Sequence, residues 1–176
     1  MIYVDIKKQL HSTKGLMDLD VNFEIQDGQF LALSGLSGSG KTTLLRILAG
    51  LEDSASTIKV GEEIWQDKNT MLRVQERGIG FVFQDYALFE NMSVEKNLLY
   101  VNKDKKLAQK LLELTDLTEL KKRKPSTLSG GQKQRVSLCR AMMNRPKLLL
   151  MDDPLSALDP AMRRKLQNEI LALHKE

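Results

Sequence analysis

The sequence predicts an α/β fold, and three observations support this prediction. Apolar runs of strand length occur at residues 30–34, 79–83 and 147–151. Segments in which apolar residues recur with helical spacing separate these runs along the chain. The first run also leads directly into a glycine-rich loop and then a helix, an arrangement that places backbone N–H groups around an anion.

The composition is that of one globular domain of ordinary size. The 176 residues are 41% hydrophobic and 28% charged, and the net charge of +4 is too mild to indicate a nucleic-acid partner. No apolar run reaches the roughly 20 residues of a membrane span, and charges interrupt the N-terminus where a signal peptide needs an apolar core. One cysteine and two histidines exclude an internal disulfide framework and a structural zinc site. Cys139 is therefore interpreted as a small core residue rather than a nucleophile.

The N-terminal part of the chain predicts an antiparallel β flank. Residues 2–6 and 19–25 alternate apolar and polar side chains, as half-buried strands do. Asp27-Gly28 forms a turn after the second of these strands. Two further short strands, at 57–60 and 63–65, complete the flank.

The segment GLSGSGKT, from Gly35 to Thr42, matches the phosphate-loop pattern G-x-x-x-x-G-K-[ST]. Its three glycines allow a tight turn whose N–H groups point into one concavity, and Lys41 adds a positive charge beside them. The Thr42 hydroxyl follows at the place where Mg²⁺ bound to a polyphosphate needs an oxygen ligand. A flexible loop that only caps a helix is the alternative interpretation. The apolar run before the loop and the apolar helix after it favour nucleotide binding.

Polar residues follow the other two apolar runs. Gln84 comes directly after residues 79–83, and Asp152 and Asp153 follow residues 147–151. Ligands of open α/β sheets bind at the carboxyl ends of the strands, so these side chains are candidates for holding Mg²⁺ or water. A solvated glutamine is the alternative for Gln84. Two adjacent carboxylates repel each other unless a cation or hydrogen-bond donors offset their charge, which favours a functional role for the aspartates.

A second glycine loop lies further along the chain. Residues 93–124 have helical spacing and indicate a helical insert, with Asp104 as a helix N-cap. The segment TLSGGQKQR at 127–135 then leads into another helix, whose first turn is a second candidate anion site. A simple turn before a helix is the alternative. Two such loops in one domain suggest that they serve one nucleotide, or two nucleotides shared between copies of the chain. Asp159-Pro160 then begins a final amphipathic helix.

The ordered set of these motifs resembles the nucleotide-binding subunit of ATP-binding cassette (ABC) transporters. The set comprises GLSGSGKT, Gln84, LSGGQ at 128–132, LLLMD at 148–152 and SALD at 156–159. The resemblance implies a P-loop NTPase core with a helical subdomain inserted after the Gln84 segment. The core is expected to comprise residues 1–84 and 145–176, and the insert residues 85–144.

The resemblance also implies roles for individual residues. Two subunits are expected to close head to tail on two ATP molecules, so that each LSGGQ segment completes the site of the partner copy. The expected phosphate-binding residues are Gly35, Ser37, Gly38, Ser39, Gly40, Lys41, Thr42 and Thr43. The residues expected to complete the partner's site are Ser129, Gly130, Gly131 and Gln132. The expected Mg²⁺ ligands are Thr42, Gln84 and Asp152, and the expected catalytic residues are Lys41, Gln84 and Asp153.

The segment FVFQDYALFENMSVEKNL, at 81–98, resembles importer-type members of the family, whose cleft after the glutamine receives a helix of the membrane permease. Together with the opening strands, this segment is most similar to the subunit of a molybdate-type oxyanion importer. The resemblance implies ATP hydrolysis that energises solute import. It also implies a cytoplasmic subunit held at the inner face of the plasma membrane by permease subunits, with no nucleic-acid partner.

Three departures from the family pattern limit what the resemblance implies. Asp153 stands where the family usually has Glu, one methylene longer, and a general base contributes about 10²–10⁴-fold to the rate. The family's switch histidine would follow the last helix, but the sequence ends at Glu176, so we expect a C-terminal truncation that leaves a sheet edge uncovered. The aromatic residue that stacks on adenine in the family is not evident upstream of the phosphate loop. His11 lies roughly at its place and could stack, and an exposed turn histidine fits the sequence at least as well. The second hypothesis is therefore an ATP-dependent dimerisation module with weak or no hydrolysis.

Overall fold

The computed structural model of the chain describes residues 1–12, 15–29, 31–152 and Arg164. These residues belong to two compact units, Met1–Arg77 and Gly78–Glu176. The insert predicted at 85–144 falls wholly within the second unit, and its separation from a core remains a prediction. Among the described residues, no helix combines the length and the hydrophobicity needed to cross a membrane.

The described residues of the first unit form a four-stranded antiparallel sheet, one α-helix and a short 3-10 helix at Val74–Glu76. The strands lie in the order β2-β1-β3-β4. The elements are β1 Ile2–Ser12, β2 Gly15–Ile25, α1 Lys41–Leu48, β3 Ala55–Val60 and β4 Glu63–Gln66. This sheet corresponds to the predicted antiparallel flank, although β1 and β2 are longer than the sequence pattern indicated. The turn predicted at Asp27-Gly28 is present after β2, with Gly28 at φ 80°.

Alternation of side chains gives the sheet one buried face. Ile2, Val4 and Ile6 of β1 are buried, whereas the residues between them are partly exposed. The antiparallel register places Val4 opposite Phe23 and Ile6 opposite Val21. Residues directly opposite each other project to the same side of a sheet, so the apolar side chains of both strands share this face.

Two predictions about this unit are wrong. Residues 31–34 were expected to form a buried strand with residue 30, which lies outside the described residues. They have irregular backbone instead, and Leu31 is 50% exposed. An apolar run forms a strand only where a neighbouring backbone pairs with it, and none of the described strands pairs with this run. His11, interpreted as part of a polar turn, lies within β1 opposite Leu16, with its side chain exposed.

The guanidinium of Arg77 links α1 to β4. Arg77 is fully buried and donates hydrogen bonds to the carbonyl oxygens of Ile47 and Leu48 at the C-terminus of α1, each at 3.0 Å. It also donates to the side-chain oxygen of Gln66 at 3.0 Å. Burial lowers the pKa of Arg77, while the carbonyl dipoles at the helix C-terminus favour its positive charge. Gly50, at φ 75°, leaves room for this group, because a side-chain carbon there would lie 2.8 Å from Arg77 Cζ.

Within residues 78–152, the second unit combines a parallel strand pair with three α-helices. Its elements are β5 Ile79–Val82, α2 Val94–Val101, α3 Lys105–Leu114, α4 Gly130–Met142 and β6 Leu148–Met151. β5 and β6 pair in parallel, with Ile79 opposite Leu148, and α4 packs against β5, α2 and α3. The predicted N-cap is confirmed, since the Asp104 carboxylate accepts hydrogen bonds from two N–H groups of the first turn of α3, each at 3.0 Å.

The apolar core of the second unit lies among its three helices. Leu98 of α2, Leu111 of α3, and Val136 and Cys139 of α4 belong to one cluster of buried side chains. Cys139 is completely buried, which confirms its interpretation as a core residue. Each helix thus turns an apolar face inward, as the spacing of its apolar residues predicts.

Gly80 allows β5 to approach α4 closely. A side-chain carbon at Gly80 would lie 2.5 Å from the carbonyl oxygen of Ala141, which belongs to the helix backbone. Real atoms cannot come this close, so any larger residue must push the strand and the helix apart.

We expect Gly80→Ala to lower the free energy of unfolding by about 1–3 kcal/mol, because overpacking forces the backbone to shift. Gly78→Ala is the matched control, since its new carbon would meet only the flexible side chain of Lys147, at 3.5 Å. Urea denaturation of both variants measures the difference. Equal stabilities would show that the close approach does not constrain the strand.

Candidate functional site

The phosphate loop of the first unit depends on two glycines in left-handed conformations. Gly38 and Gly40 have φ of 80° and 87°, which other residues adopt only with strain. α1 begins directly after Gly40, which has no side chain to cap the helix, and the first turn contains no acidic residue. The positive end of the helix dipole therefore faces the loop with no acidic side chain of the first turn to offset it, which favours an anion there.

Lys41 folds back over the loop. Its Nζ donates hydrogen bonds to the carbonyl oxygens of Gly35 and Leu36, at 2.8 and 2.9 Å, and lies 3.4 Å from Ser39 Oγ. None of these three partners carries a charge, so they hold the ammonium in place without neutralising it. A side-chain carbon at Gly35 would lie 2.8 Å from Ser39 Oγ and would displace that hydroxyl. The loop therefore presents a positioned cation beside the N-terminus of α1, which suits phosphate.

Apolar side chains of β1 and β2 lie close to the loop at Gly40. A carbon added at Gly40 would lie 3.0 Å from Leu10 Cδ1, 3.4 Å from Leu19 Cδ1 and 3.7 Å from Met17 Cε. These neighbours could not be predicted from the sequence, because strand alternation shows which side chains share a face but not what that face contacts. The remaining predicted loop residues are Ser37 and Thr42, which are exposed, and Thr43, which is partly buried.

A cavity of about 520 Å³ in the second unit contains two of the predicted metal ligands. It is lined by Phe83, Gln84, Asp85 and Asp152. The N–H of Asp152 donates to the Val82 carbonyl oxygen at 2.9 Å, which extends the parallel pairing to the ends of both strands. The structure thus brings Gln84 and Asp152 together, and adds Asp85, which the sequence analysis did not single out.

The oxygen donors of this cavity suit Mg²⁺ bound with a polyphosphate. Carboxylate and amide oxygens are hard ligands, and Mg²⁺ commonly takes one or two protein ligands and completes its coordination with water and phosphate oxygens. Within the described part of the chain, no cluster of three or more His, Cys, Asp or Glu side chains is able to hold a metal alone. Mg²⁺ bound here would therefore rely on phosphate oxygens as further ligands. Asp153, the predicted catalytic carboxylate, lies outside the described residues.

The chain turns sharply after β5, and Gln84 lies in that turn. A hydrogen bond from the Tyr86 N–H to the Phe83 carbonyl oxygen, at 3.0 Å, closes it. Tyr86 and Ala87 then have φ of 62° and 45°, in the left-handed region that residues with side chains rarely adopt. Sequence reasoning missed this conformation, because glycine, asparagine and aspartate are the residue types that signal it.

Helix α4 holds the backbone of this turn. Arg140 donates from Nη1 to the Ala87 carbonyl oxygen at 2.6 Å and from Nη2 to the Tyr86 carbonyl oxygen at 3.1 Å. Ser137 Oγ donates to the same Tyr86 oxygen at 3.0 Å. Burial lowers the pKa of Arg140, and the neighbouring Asp85 carboxylate raises it. No sequence motif identifies Ser137 or Arg140. Their partners are the backbone carbonyl oxygens of the turn, which every residue type has, so the residue types in the turn do not reveal these contacts.

Two aromatic rings lie on the surface beyond this turn. The rings of Phe89 and Tyr100 are 4.7 Å apart, and Tyr100 is 64% exposed. The buried side chain of Asn97 fixes the segment that carries Phe89, accepting from the Phe89 N–H at 2.9 Å and donating to the Ser93 carbonyl oxygen at 3.0 Å. These contacts give the second unit an ordered surface with exposed aromatic side chains.

The second glycine loop forms the N-terminus of α4. Ser129 Oγ accepts a hydrogen bond from the Gln132 N–H at 3.3 Å, and Gln132 Oε1 accepts one from the Ser129 N–H at 2.9 Å. This reciprocal capping box explains Ser129 and Gln132 as helix-capping residues without any ligand. It does not explain Gly130 and Gly131, with which the helix begins. Glycine is a poor helix former, so capping alone would favour other residues at these two positions.

Comparison with known proteins shows clear similarity over most of the chain. A family model described as ABC transporter matches residues 19–156. The sulfate/thiosulfate import ATP-binding protein CysA of Mesorhizobium japonicum is 44% identical over 168 residues, which cover 88% of this chain and 47% of that protein. CysA 2 of Shewanella oneidensis is 48% identical over 170 residues, covering 89% of this chain and 47% of that protein. The chain therefore spans about half the length of these curated relatives.

A solved structure supports the fold. The ATP-binding cassette MJ0796, in a dimeric post-hydrolysis state bound to ADP and Pi, superposes with a TM-score of 0.82 at 27% identity. The superposition covers 99% of this chain and 83% of that chain. The predicted fold class, an α/β P-loop NTPase fold with an antiparallel β flank, is thus confirmed. The predicted likeness to a molybdate-type importer finds no support, since the relatives are named for sulfate and thiosulfate.

We expect Gly130→Ala to fold normally but to weaken ATP-dependent association of two copies of the chain. A methyl group at Gly130 would lie 3.7 Å from the Tyr86 hydroxyl oxygen, an ordinary contact, so the unfolding free energy should change by less than about 1 kcal/mol. It would nevertheless crowd the helix N–H groups that an approaching phosphate needs. Thermal denaturation and sedimentation with ATP measure the two effects.

Ser129→Ala is the companion variant. It removes the N-cap of α4, which should lower the free energy of unfolding by about 1 kcal/mol. A Gly130→Ala variant that associates as well as the unaltered chain would leave Gly130 with no role in the interface.

Proposed function

Because the chain belongs to the ABC transporter family, we propose that it is the ATP-binding and ATP-hydrolysing part of an importer. The observation that carries this proposal is the geometry of the phosphate loop, where an uncapped helix N-terminus and an unneutralised Lys41 lie side by side. The relatives named as import ATP-binding proteins, and the cassette bound to ADP and Pi, support the same activity.

We propose that the first unit binds the phosphates of ATP. Lys41 would exchange its bonds to the Gly35 and Leu36 carbonyls for bonds to phosphate oxygens, since a charge-assisted hydrogen bond is about twice as strong as a neutral one. The glycines allow the loop backbone to approach those oxygens without a side chain between them. Thr42, at the first turn of α1, places a hydroxyl where the metal of a Mg²⁺–ATP complex would need a ligand.

In the second unit, Gln84 and Asp152 would hold Mg²⁺, and Asp153 would orient and polarise the attacking water. Bound Mg²⁺ would neutralise the charge that develops on the transferred phosphoryl group. The backbone of Asp152 is fixed at the end of β6 by its hydrogen bond to the Val82 carbonyl oxygen, which sets where its side chain begins. Gln84 lies in a turn, which allows it to respond to the state of the phosphate.

We further propose two kinds of partner. A second copy would approach with its own Ser129 and Gly131 and complete the site, as the dimeric state of the similar cassette suggests. Permease subunits would dock on the exposed Phe89 and Tyr100 surface and hold the protein at the cytoplasmic face of the membrane. The names of the relatives favour sulfate or thiosulfate as the transported solute rather than molybdate.

We expect Lys41→Ala to weaken ATP binding about 10- to 100-fold, because a hydrogen bond to a charged group contributes about 1.5–3 kcal/mol. Asp152→Asn should retain ATP binding in the absence of Mg²⁺ but lose Mg²⁺-dependent phosphate release. Lys122→Ala, an exposed lysine of the second unit, is the control. Equilibrium binding of a fluorescent ATP analogue and phosphate release provide the measurements. A Lys41→Ala variant with unchanged affinity would refute the proposed phosphate site.

The second candidate function is an ATP-dependent dimerisation module, favoured by the short side chain of Asp153. If the shorter carboxylate limits the reaction, Asp153→Glu should raise kcat and leave ATP affinity unchanged, because only the distance from the carboxylate to the attacking water changes. Phosphate release by both forms decides between the two functions. Tight ATP binding with no turnover, even in Asp153→Glu, would favour the dimerisation module over the ATPase.

A further inference from the structure

Two successive residues in the turn that contains Gln84 are strained. Tyr86 and Ala87 both have positive φ, although each has a side chain that disfavours this conformation. Such a conformation persists only where the surrounding structure holds it, and it concentrates at functional sites. Neighbouring groups must therefore hold this turn.

Those groups belong to α4. The two nitrogens at the tip of Arg140 reach the carbonyl oxygens of Ala87 and Tyr86, and Ser137 Oγ reaches the latter as well. The guanidinium also lies over the ring of Phe89, 5.5 Å from its centroid. Arg140 thus contacts three of the first five residues after Gln84, through two hydrogen bonds and one ring contact.

The turn also lies close to the start of α4. A carbon added at Gly130 would be 3.7 Å from the Tyr86 hydroxyl oxygen, so the Tyr86 side chain extends towards the LSGGQ segment. Ser137 and Arg140 consequently hold the backbone of Tyr86, and the Tyr86 hydroxyl lies beside Gly130, the first residue of the same helix. A shift of α4 would therefore move both ends of Tyr86.

We propose that Arg140 is a positioning residue for Gln84, and that through it the placement of Gln84 depends on the position of α4. Gln84 and Asp85 are the two central residues of the turn that the Tyr86 N–H closes on Phe83. Fixing the Tyr86 and Ala87 carbonyls fixes the exit of this turn, and with it the backbone from which the Gln84 side chain extends. This inference rests on the proposed function, in which Gln84 is a ligand of Mg²⁺.

The helix that begins with the LSGGQ segment would then act on the metal site of its own chain. When a second copy engages Ser129 to Gln132, any displacement of α4 would pass through Arg140 and the strained turn to Gln84. The strain makes the turn sensitive to the position of Arg140. Ala87 would leave its left-handed conformation once its carbonyl oxygen lost the hydrogen bond from Arg140. Arg140 would thereby couple engagement of the partner to metal binding without itself touching the nucleotide.

The test uses the whole chain with Arg140→Gln, Ala87→Gly and the double variant. Arg123→Gln is the matched control, since it makes the same charge change at an exposed position of the same unit. Phosphate release is measured against Mg²⁺ and ATP concentration, ATP binding is measured without Mg²⁺, and thermal denaturation reports stability.

We expect Arg140→Gln to lower kcat and raise the Mg²⁺ concentration for half-maximal activity, each by about tenfold, the size typical of residues that orient metal ligands. ATP binding without Mg²⁺ should not change. Ala87→Gly in the Arg140→Gln background should restore part of the lost activity, because glycine adopts positive φ without support. Arg123→Gln should behave as the unaltered chain.

Several outcomes would overturn the inference. An Arg140→Gln variant with a lower melting temperature but unchanged kcat and Mg²⁺ dependence would show that Arg140 is only structural, while the ATPase function would stand. An unaltered chain that fails to bind ATP would refute the proposed function, and this inference with it. If Arg140→Gln does not fold, Arg140→Lys replaces it, because lysine keeps the charge but lacks the fork that reaches both carbonyls. Unchanged Mg²⁺ dependence in Arg140→Lys would then overturn the inference.

Discussion

Each unit of this protein depends on an arginine that binds backbone carbonyls where a carboxylate would be the more usual partner. Arg77 holds the last carbonyls of α1 in the first unit, and Arg140 holds the turn after Gln84 in the second. A guanidinium is suited to this task because it is planar, permanently charged and able to donate in two directions at once. Both arginines lie outside the motifs that identify the family. They nevertheless fix the elements on which those motifs depend, since α1 carries the phosphate loop at its other end.

The two glycine loops present helix N-termini in different states. At α1, the N-cap residue Gly40 contributes no side-chain hydrogen bond to the first turn of the helix. At α4, Ser129 and Gln132 satisfy each other, and a phosphate arriving there must replace the hydrogen bond that Ser129 Oγ accepts from the Gln132 N–H. That bond is long, at 3.3 Å, so the exchange costs little. The two loops therefore differ in their capping: in the proposed function, a nucleotide meets no side-chain cap at the first loop but has to replace a capping bond at the second.

Most of the secondary structure could be predicted from the sequence, because it follows from local periodicity and capping. Alternation indicated β1 and β2, and the Asp104 cap marked the start of α3. The strand expected at 30–34 was wrong, since an apolar run does not reveal whether a partner strand lies beside it. For the site, sequence motifs indicated Lys41, Gln84, Asp152 and the LSGGQ segment. They could not indicate Arg140, because its partners are backbone oxygens. They also could not indicate the left-handed backbone of Tyr86 and Ala87, because tyrosine and alanine are not residue types that favour this conformation.

The complete burial of Cys139 has a practical consequence. It is the one cysteine of the sequence, and its sulfur lies 3.2 Å from the Thr115 hydroxyl inside the helical core. Thiol-reactive dyes and spin labels therefore have no exposed native target on the folded chain. A cysteine introduced on the surface would become the sole labelled position, so distances between two copies could be followed by fluorescence or electron paramagnetic resonance without first removing a native thiol.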